Sequence, residues 1–264
     1  MKIGIVSDEI VLDFAEAVRY GTSWGIMDYE IRCLTSGRVP YLSEEEIQTV
    51  LQMKKEKGVN IAALSPGIFK ISLQDEKIKT EKDKVLFDTF RLAERLGTNL
   101  VIIFGVNHYE NEPAENYERV VSLFTEVARK AQWNGFMLAV ENEPGHWCDT
   151  GANTAKILHE VNSPCLKANW DLGNSFCSGE IPYPDGYQAI KDFVINLHVK
   201  DYRKKDGNYE CVVIGDGEID YPGQFRALLR DNSLHHITLE THCLPFLEKS
   251  EESVRRLKKI LAEL

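Results

Sequence analysis

The sequence predicts an α/β protein built as a single (β/α)8 TIM barrel, and three observations point there. Short apolar runs alternate with amphipathic helical stretches along the whole chain. The alternation occurs eight times in 264 residues, about 33 residues per unit, which matches the size of one closed barrel. The apolar runs are nearly continuous, as parallel strands covered on both faces require. An open doubly wound sheet has fewer, longer crossovers and usually a Gly-rich first turn. None follows the first run, and no linker interrupts the pattern, so one domain over residues 1–264 is expected.

The elements follow in order. Lys2–Ser7 reads as a buried strand and Asp13–Trp24 as an amphipathic helix. Tyr29–Ile31 is a short strand. Ser43 with Glu46 forms a capping box that opens a helix over Glu44–Lys57, which Gly58 stops. Val59–Leu64 is a strand, Lys82–Leu96 a helix closed by Gly97, Asn99–Phe104 a strand, and Ala114–Asn134 a helix closed by Gly135. Phe136–Glu141, Leu166–Asp171, Val194–Val199 and His236–Glu240 are the last four strands. They are followed by helices over Asn153–Val161, Gly186–Asp192, Pro222–Leu229 and Glu251–Leu261. Asp206-Gly207 marks the turn of a small hairpin.

Composition narrows the function. The N-terminus places Asp8 and Glu9 where a secretory segment would stay apolar, and no apolar stretch reaches the ~20 residues of a membrane span. A cytoplasmic protein is expected. The six cysteines are scattered without a CxxC pair, so reduced thiols are expected. A net charge of −10 with no basic stripe argues against nucleic acid as a partner. A homo-oligomer is left open.

Four consecutive strands end in metal-ligand residue types: Glu141, Asp171, His198 and Glu240. In a barrel, a charged residue at the C-terminal tip of a strand points into the mouth, and the tips of adjacent strands are neighbours. Three carboxylates packed together repel one another unless a positive charge sits between them. One divalent ion (Mn, Mg, Co or Zn) bound by these four residues satisfies that requirement. A single acid at a strand end is ordinarily a cap or a loop residue; four in succession are harder to explain that way.

The chain resembles the xylose-isomerase-like TIM-barrel superfamily. The motifs that carry the resemblance are VEN (Val140–Asn142), WDLGN (Trp170–Asn174), LHVKD (Leu197–Asp201), IGDGEIDYPG (Ile214–Gly223) and TLET (Thr238–Thr241). That group includes sugar isomerases, ketose 3-epimerases, hydroxypyruvate isomerase, inosose dehydratase and, more distantly, endonuclease IV. The resemblance puts Glu141, Asp171, His198 and Glu240 on the family's metal ligands. It also implies that Glu141 and Glu240 are the proton-transfer groups. A metal-stabilised enediolate formed by such a base explains isomerisation, epimerisation or loss of a hydroxyl equally well.

Departures from the family pattern bear on the choice. Asn174 stands where the epimerases and endonuclease IV carry His. Tyr209 and Cys211 replace the Asp-x-His of the DNA-repair branch, and Leu64–Gly67 (LSPG) lacks its additional His. One metal rather than three follows, and a nuclease is disfavoured. Trp147 replaces an epimerase substrate-contacting Glu. The expected function is isomerisation or epimerisation of a small sugar, keto-sugar or sugar phosphate. The alternatives are an inosose-dehydratase-type lyase and a sugar-binding barrel without catalysis. Candidate substrate contacts are Asn174, Lys200, Arg203, His108, His146 and Trp147. His159, His235, His236 and His242 read as surface or packing residues, and Asp220 as the cap of the helix after the seventh strand.

Overall fold

The computed structural model describes residues 1–232, 234 and 236–264. Eight parallel strands close into a barrel: β1 (Lys2–Val6), β2 (Asp28–Ile31), β3 (Asn60–Leu64), β4 (Leu100–Phe104), β5 (Met137–Glu141), β6 (Leu166–Asp171), β7 (Val194–Val199) and β8 (His236–Leu239). Each pairs with its sequence neighbours, and β8 returns to β1 with Lys2 opposite His236. Helices lie between the strands, so the predicted (β/α)8 barrel is observed.

Helix starts follow side-chain caps. Asp13 accepts a hydrogen bond from the Glu16 backbone N–H at 2.9 Å and opens Phe14–Ser23. Ser43 does the same for Glu44–Lys57, and Gly58 ends that helix in the left-handed region at φ 69°. Thr150 accepts from Asn153 N at 3.1 Å, so the helix expected from Asn153 starts two residues earlier, at Gly151. Asp220 caps Tyr221–Asp231 as expected. Fully buried Ile5, Leu64, Ile103, Phe124 and Leu239 join strands to helices. Each such side chain contributes roughly 1.5–3 kcal/mol through burial.

Other boundaries moved further. The helix expected from Lys82 begins at Lys77, whose N–H donates to Asp75 Oδ1 at 2.8 Å, and passes through a wide π turn over Glu81–Val85 before Leu86–Leu96. The closing helix starts at Phe246, directly after Pro245, rather than at Glu251. The stretch read as a helix over Gly186–Asp192 holds only Tyr187–Ile190 in α conformation, between two irregular turns. The Asp206-Gly207 turn joins Asp201–Lys205 to Asn208–Val212, as expected. A second, unanticipated hairpin pairs Cys33–Leu34 with Gly37–Arg38 just beyond β2. An unanticipated short helix, Leu172–Cys177, follows β6.

Candidate metal centre

The side chains of a strand alternate, so Asn169 with Asp171 and Asn196 with His198 share the inner faces of β6 and β7. Glu141 ends β5, and Glu240 stands one residue past β8, its N–H still bonded to Val199 O at 3.0 Å. Glu141, Asp171, His198 and Glu240 are all buried, and one ligand atom from each lies within 4.8 Å of every other. They form a cluster able to hold a metal ion.

The motifs around them brace one another. Asn142 donates to Asp171 O and accepts from Asp171 N, both at 2.8 Å, which prolongs the β5–β6 ladder past the strand ends. Asp171 Oδ1 accepts from Asn174 N at 2.7 Å and so caps Leu172–Cys177, leaving Oδ2 to face the cluster. Asp201 Oδ2 accepts from Gly215 N and Gly217 N, so the IGDG turn is anchored to β7. Tyr221 Oη accepts from Lys200 N at 3.0 Å and donates to Lys200 O at 2.6 Å. Gly173 lets Lys200 pass: a Cβ there would stand 2.6 Å from Lys200 Cγ.

His198 decides whether a metal fits. Its Nδ1 is buried without an aligned hydrogen bond, 3.3 Å from Glu141 Oε2, 3.4 Å from Glu240 Oε2 and 3.9 Å from Asp171 Oδ2. Its Nε2 lies 3.0 Å from Glu30 Oε2, the buried carboxylate on β2. An Nε2–H donated to Glu30 leaves the Nδ1 lone pair directed at the three carboxylates, which is the carboxylate–histidine–metal arrangement. Burial alone lowers the imidazole pKa, but Glu30, Glu141 and Glu240 reverse this and hold it well above the ordinary value. A divalent ion held by this cluster would therefore have to displace a proton from Nδ1. Glu30→Gln is expected to weaken divalent-ion affinity about 10–100-fold in a calorimetric titration. Unchanged affinity would remove Glu30 from the site.

The protein's own cations balance the cluster. Lys200 is 2% exposed, with Nζ 2.8 Å from both Asp171 Oδ2 and Glu240 Oε2. Burial opposes its charge, but Asp171, Glu240 and Glu141 prevail and keep its pKa well above that of an ordinary lysine. Arg32 reaches Glu240 Oε1 at 2.6 Å, Glu9 Oε1 at 2.8 Å and Asp8 Oδ2 at 2.9 Å. Burial pushes Asp171 up to about 6, with Lys200 opposing and Glu141 and Glu240 adding to the rise. Burial also works to raise Glu240, but Lys200, His242 and His198 bring it well below the carboxylate range. A divalent ion bound by the cluster would thus compete with the Lys200 ammonium for the same carboxylates.

The remaining candidates separate. Asn174 is buried, and its Nδ2 lies 2.8 Å from Asn142 O and 3.2 Å from Glu141 Oε1, so it braces Glu141. Lys200 pairs with Asp171 and Glu240. Arg203 lies on the 201–212 hairpin, half exposed and paired with Glu210 at 2.9 Å, away from the cluster. His146 is buried, with Nδ1 near Pro144 O and its ring 6.4 Å from Phe104. His108 packs against Trp147 with ring centroids 4.1 Å apart and the planes tilted by 38°, and neither lines the small cavity beside Glu141 and Glu240. That cavity, of about 70 Å³, is lined by Arg32, Arg38, Ser65, Lys70, Phe104, Glu141, Glu143, Asn174, Lys200, Glu240 and His242.

His159 packs edge-on against Phe193, and His236 is part-buried at the start of β8, in line with their reading as packing residues. His235 lies outside the described residues. His242 needs correction: it stands 3.2 Å from Glu240 Oε1, whose charge first of all raises its pKa, and it lines the cavity. A left-handed backbone at φ 53° turns it back over the site. Sequence reading also missed Glu30, Arg32 and the Asn169–Asn196 pair. Asn169 donates to Glu141 Oε2 at 3.1 Å and accepts from Asn196 at 2.9 Å. A buried-type strand carrying Asn at an inward position is the signal that would have found the Asn169–Asn196 pair.

Comparison with known proteins places this geometry. A family model described as xylose isomerase-like TIM barrel matches residues 15–260. The chain belongs to the xylose isomerase-like TIM barrel family. Among curated proteins, a 3-dehydroshikimate dehydratase of Bacillus anthracis is 25% identical over 204 residues, covering 74% of this chain and 69% of that protein. The crystal structure of a probable 3-DHS dehydratase involved in petrobactin synthesis, also from Bacillus anthracis, superposes with a TM-score of 0.83 at 19% identity. It covers 98% of this chain and 99% of its own. The IolI protein, solved with a bound zinc atom, gives a TM-score of 0.80 at 18% identity over 100% of this chain and 97% of its own. Among the described residues no helix is long and apolar enough to cross a membrane.

Proposed function

We propose that the protein is a divalent-metal-dependent isomerase or epimerase acting on a small sugar, keto-sugar or sugar phosphate. The observation that carries this reading is the convergence of Glu141 and Glu240 on His198 Nδ1, at 3.3 and 3.4 Å, from strands three places apart in the barrel. Glu141, Asp171, His198 and Glu240 are the proposed ligands of one Mn, Mg, Co or Zn ion. When bound, such an ion supplies Lewis-acid stabilisation of negative charge developing on substrate oxygens.

The chain's own groups do the rest. Glu240, ionised beside Lys200 and Arg32, takes the proton from the carbon next to the carbonyl. In epimerisation Glu141, braced by Asn169 and Asn174 and entering as the carboxylic acid, donates its own proton from the other side. That leaves Glu240 protonated and Glu141 ionised. In isomerisation Glu240 returns its proton to the adjacent carbon. Lys200 holds its proton at Nζ and donates a hydrogen bond toward the oxygen that gains charge.

A second reading, dehydration of a keto-polyol, is favoured by the dehydratase relative and by Lys200. An ammonium 2.8 Å from the proposed base can protonate a departing hydroxide. Incubation of Mn-loaded protein with keto-sugars and keto-polyols in D2O separates the two. Deuterium at one carbon without a new absorbing product is the expected result. An absorbing enone establishes the lyase instead, and neither outcome across the panel refutes proton transfer at this site.

A further inference from the structure

The cavity beside Glu141 and Glu240 is lined by four cations, Arg32, Arg38, Lys70 and Lys200, against three carboxylates, Glu141, Glu143 and Glu240. Two of the cations are engaged by buried acids. Arg32 holds Asp8, Glu9 and Glu240, and Lys200 holds Asp171 and Glu240. Lys70 lies 3.9 Å above the Phe104 ring and pairs with Glu143 at 2.7 Å. Lys70 is 40% exposed and Glu143 25%, so the pair is solvent-screened and easily exchanged. The guanidinium of Arg38, an exposed residue, makes no hydrogen bond or ion pair with any described residue; only its backbone is bonded, its carbonyl accepting from Tyr41 N at 3.1 Å.

The position of Arg38 is nonetheless built. It ends the Cys33–Arg38 hairpin, whose base is closed by Val39 N bonding to Arg32 O at 3.1 Å. Its guanidinium lies beside Gly67, where a Cβ would collide with Nη1, and Gly67 is left-handed at φ 78°. The loop after β3 thus gives up a side chain where the Arg38 head crosses it. Lys70 follows three residues later in the same loop. A planar guanidinium free of internal partners, beside an exchangeable ammonium, matches the oxygens of a carboxylate or phosphate.

We propose that Arg38, assisted by Lys70, is the subsite for an anionic group on the substrate, so that the substrate is a polyhydroxylated carboxylate or phosphate. This rests on the function proposed above, since it places the reacting carbon between Glu141 and Glu240. A metal ion at the cluster would only add to the positive field of the cavity. Arg38 is a specificity residue here: it selects the substrate by its charge and takes no part in proton transfer.

Three probes sharing one six-carbon polyol skeleton test the proposal: D-gluconate, D-sorbitol 6-phosphate and neutral D-sorbitol. Each is titrated calorimetrically into metal-free and Mn-loaded protein. One of the charged probes is expected to bind at least about tenfold more tightly than sorbitol, and which one distinguishes carboxylate from phosphate. Arg38→Gln is expected to abolish that preference while leaving sorbitol binding unchanged. Arg38→Lys retains part of it, and Lys70→Gln weakens it to a smaller degree. If neither charged probe exceeds sorbitol, or if Arg38→Gln weakens all three alike in a protein of unchanged Tm, the proposal is overturned. Failure of the metal-dependent reading shows separately, as absence of Mn binding in the same titrations with the charge preference intact.

Discussion

Glu240→Gln is expected to slow carbon–deuterium exchange, on whichever keto-sugar or keto-polyol of the D2O panel the native protein exchanges, by about a hundredfold to ten-thousandfold, the range for losing a positioned general base. Shape is preserved in this variant. The amide oxygen still accepts from Arg32 Nη1, which lies 2.6 Å from Oε1. The group able to take a proton is gone, and so is one of the three negative charges that the cluster sets against Lys200 and His198. Exchange rate and metal content are measured on the same sample, because Glu240 is proposed as both base and ligand. A rate within tenfold of the native protein at equal metal content would remove Glu240 from catalysis. Glu141→Gln provides the matching experiment from the other side of the cluster.

Removing the buried ammonium has its largest effect on the metal-free protein. In Lys200→Met, Asp171 and Glu240 lose a partner at 2.8 Å each and keep only His198 and, for Glu240, Arg32 and His242. Breaking a buried pair while leaving its charge behind costs roughly 3–5 kcal/mol, and that is the expected loss in urea denaturation with EDTA present. Mn should then stabilise the variant more than the native protein, because the ion no longer competes with an ammonium. A loss under about 1 kcal/mol in EDTA would mean that the cluster is neutralised by protonation instead, with Asp171, at about 6, the first to accept a proton.

The fold was legible because its signal is local: apolar runs, caps and closing glycines all lie within a few residues of one another. The four clustered side chains were legible for a related reason, since strand-tip position alone directs a residue to the mouth. What was lost depended on distance along the chain. Glu30 meets His198 across 168 residues, and nothing in DYEI marks a carboxylate whose partner is that remote. Arg32 acquires its role only when β2 and β8 flank β1. Arg203 is a different case. A turn at Asp206-Gly207 places Arg203 opposite Glu210, so its diversion from the mouth could have been read by counting outward from the turn. His242 depended on a left-handed residue that no pattern announces.

The contacts that tune the cluster also span the seam where the barrel closes. Glu9 after β1 accepts from His242 N at 2.8 Å, Ser250 donates to Glu9 O at 2.7 Å, and Arg32 reaches Glu240. All four clustered residues come from the second half of the sequence, but the groups that orient His198 and counter Glu240 from the other side come from the first 32 residues. A nascent chain that has made every ligand still lacks a finished site until its last strand docks on its first. Completion of the centre therefore depends on barrel closure, and the second half of this chain alone would carry all four ligands without the Glu30 and Arg32 that orient His198 and counter Glu240.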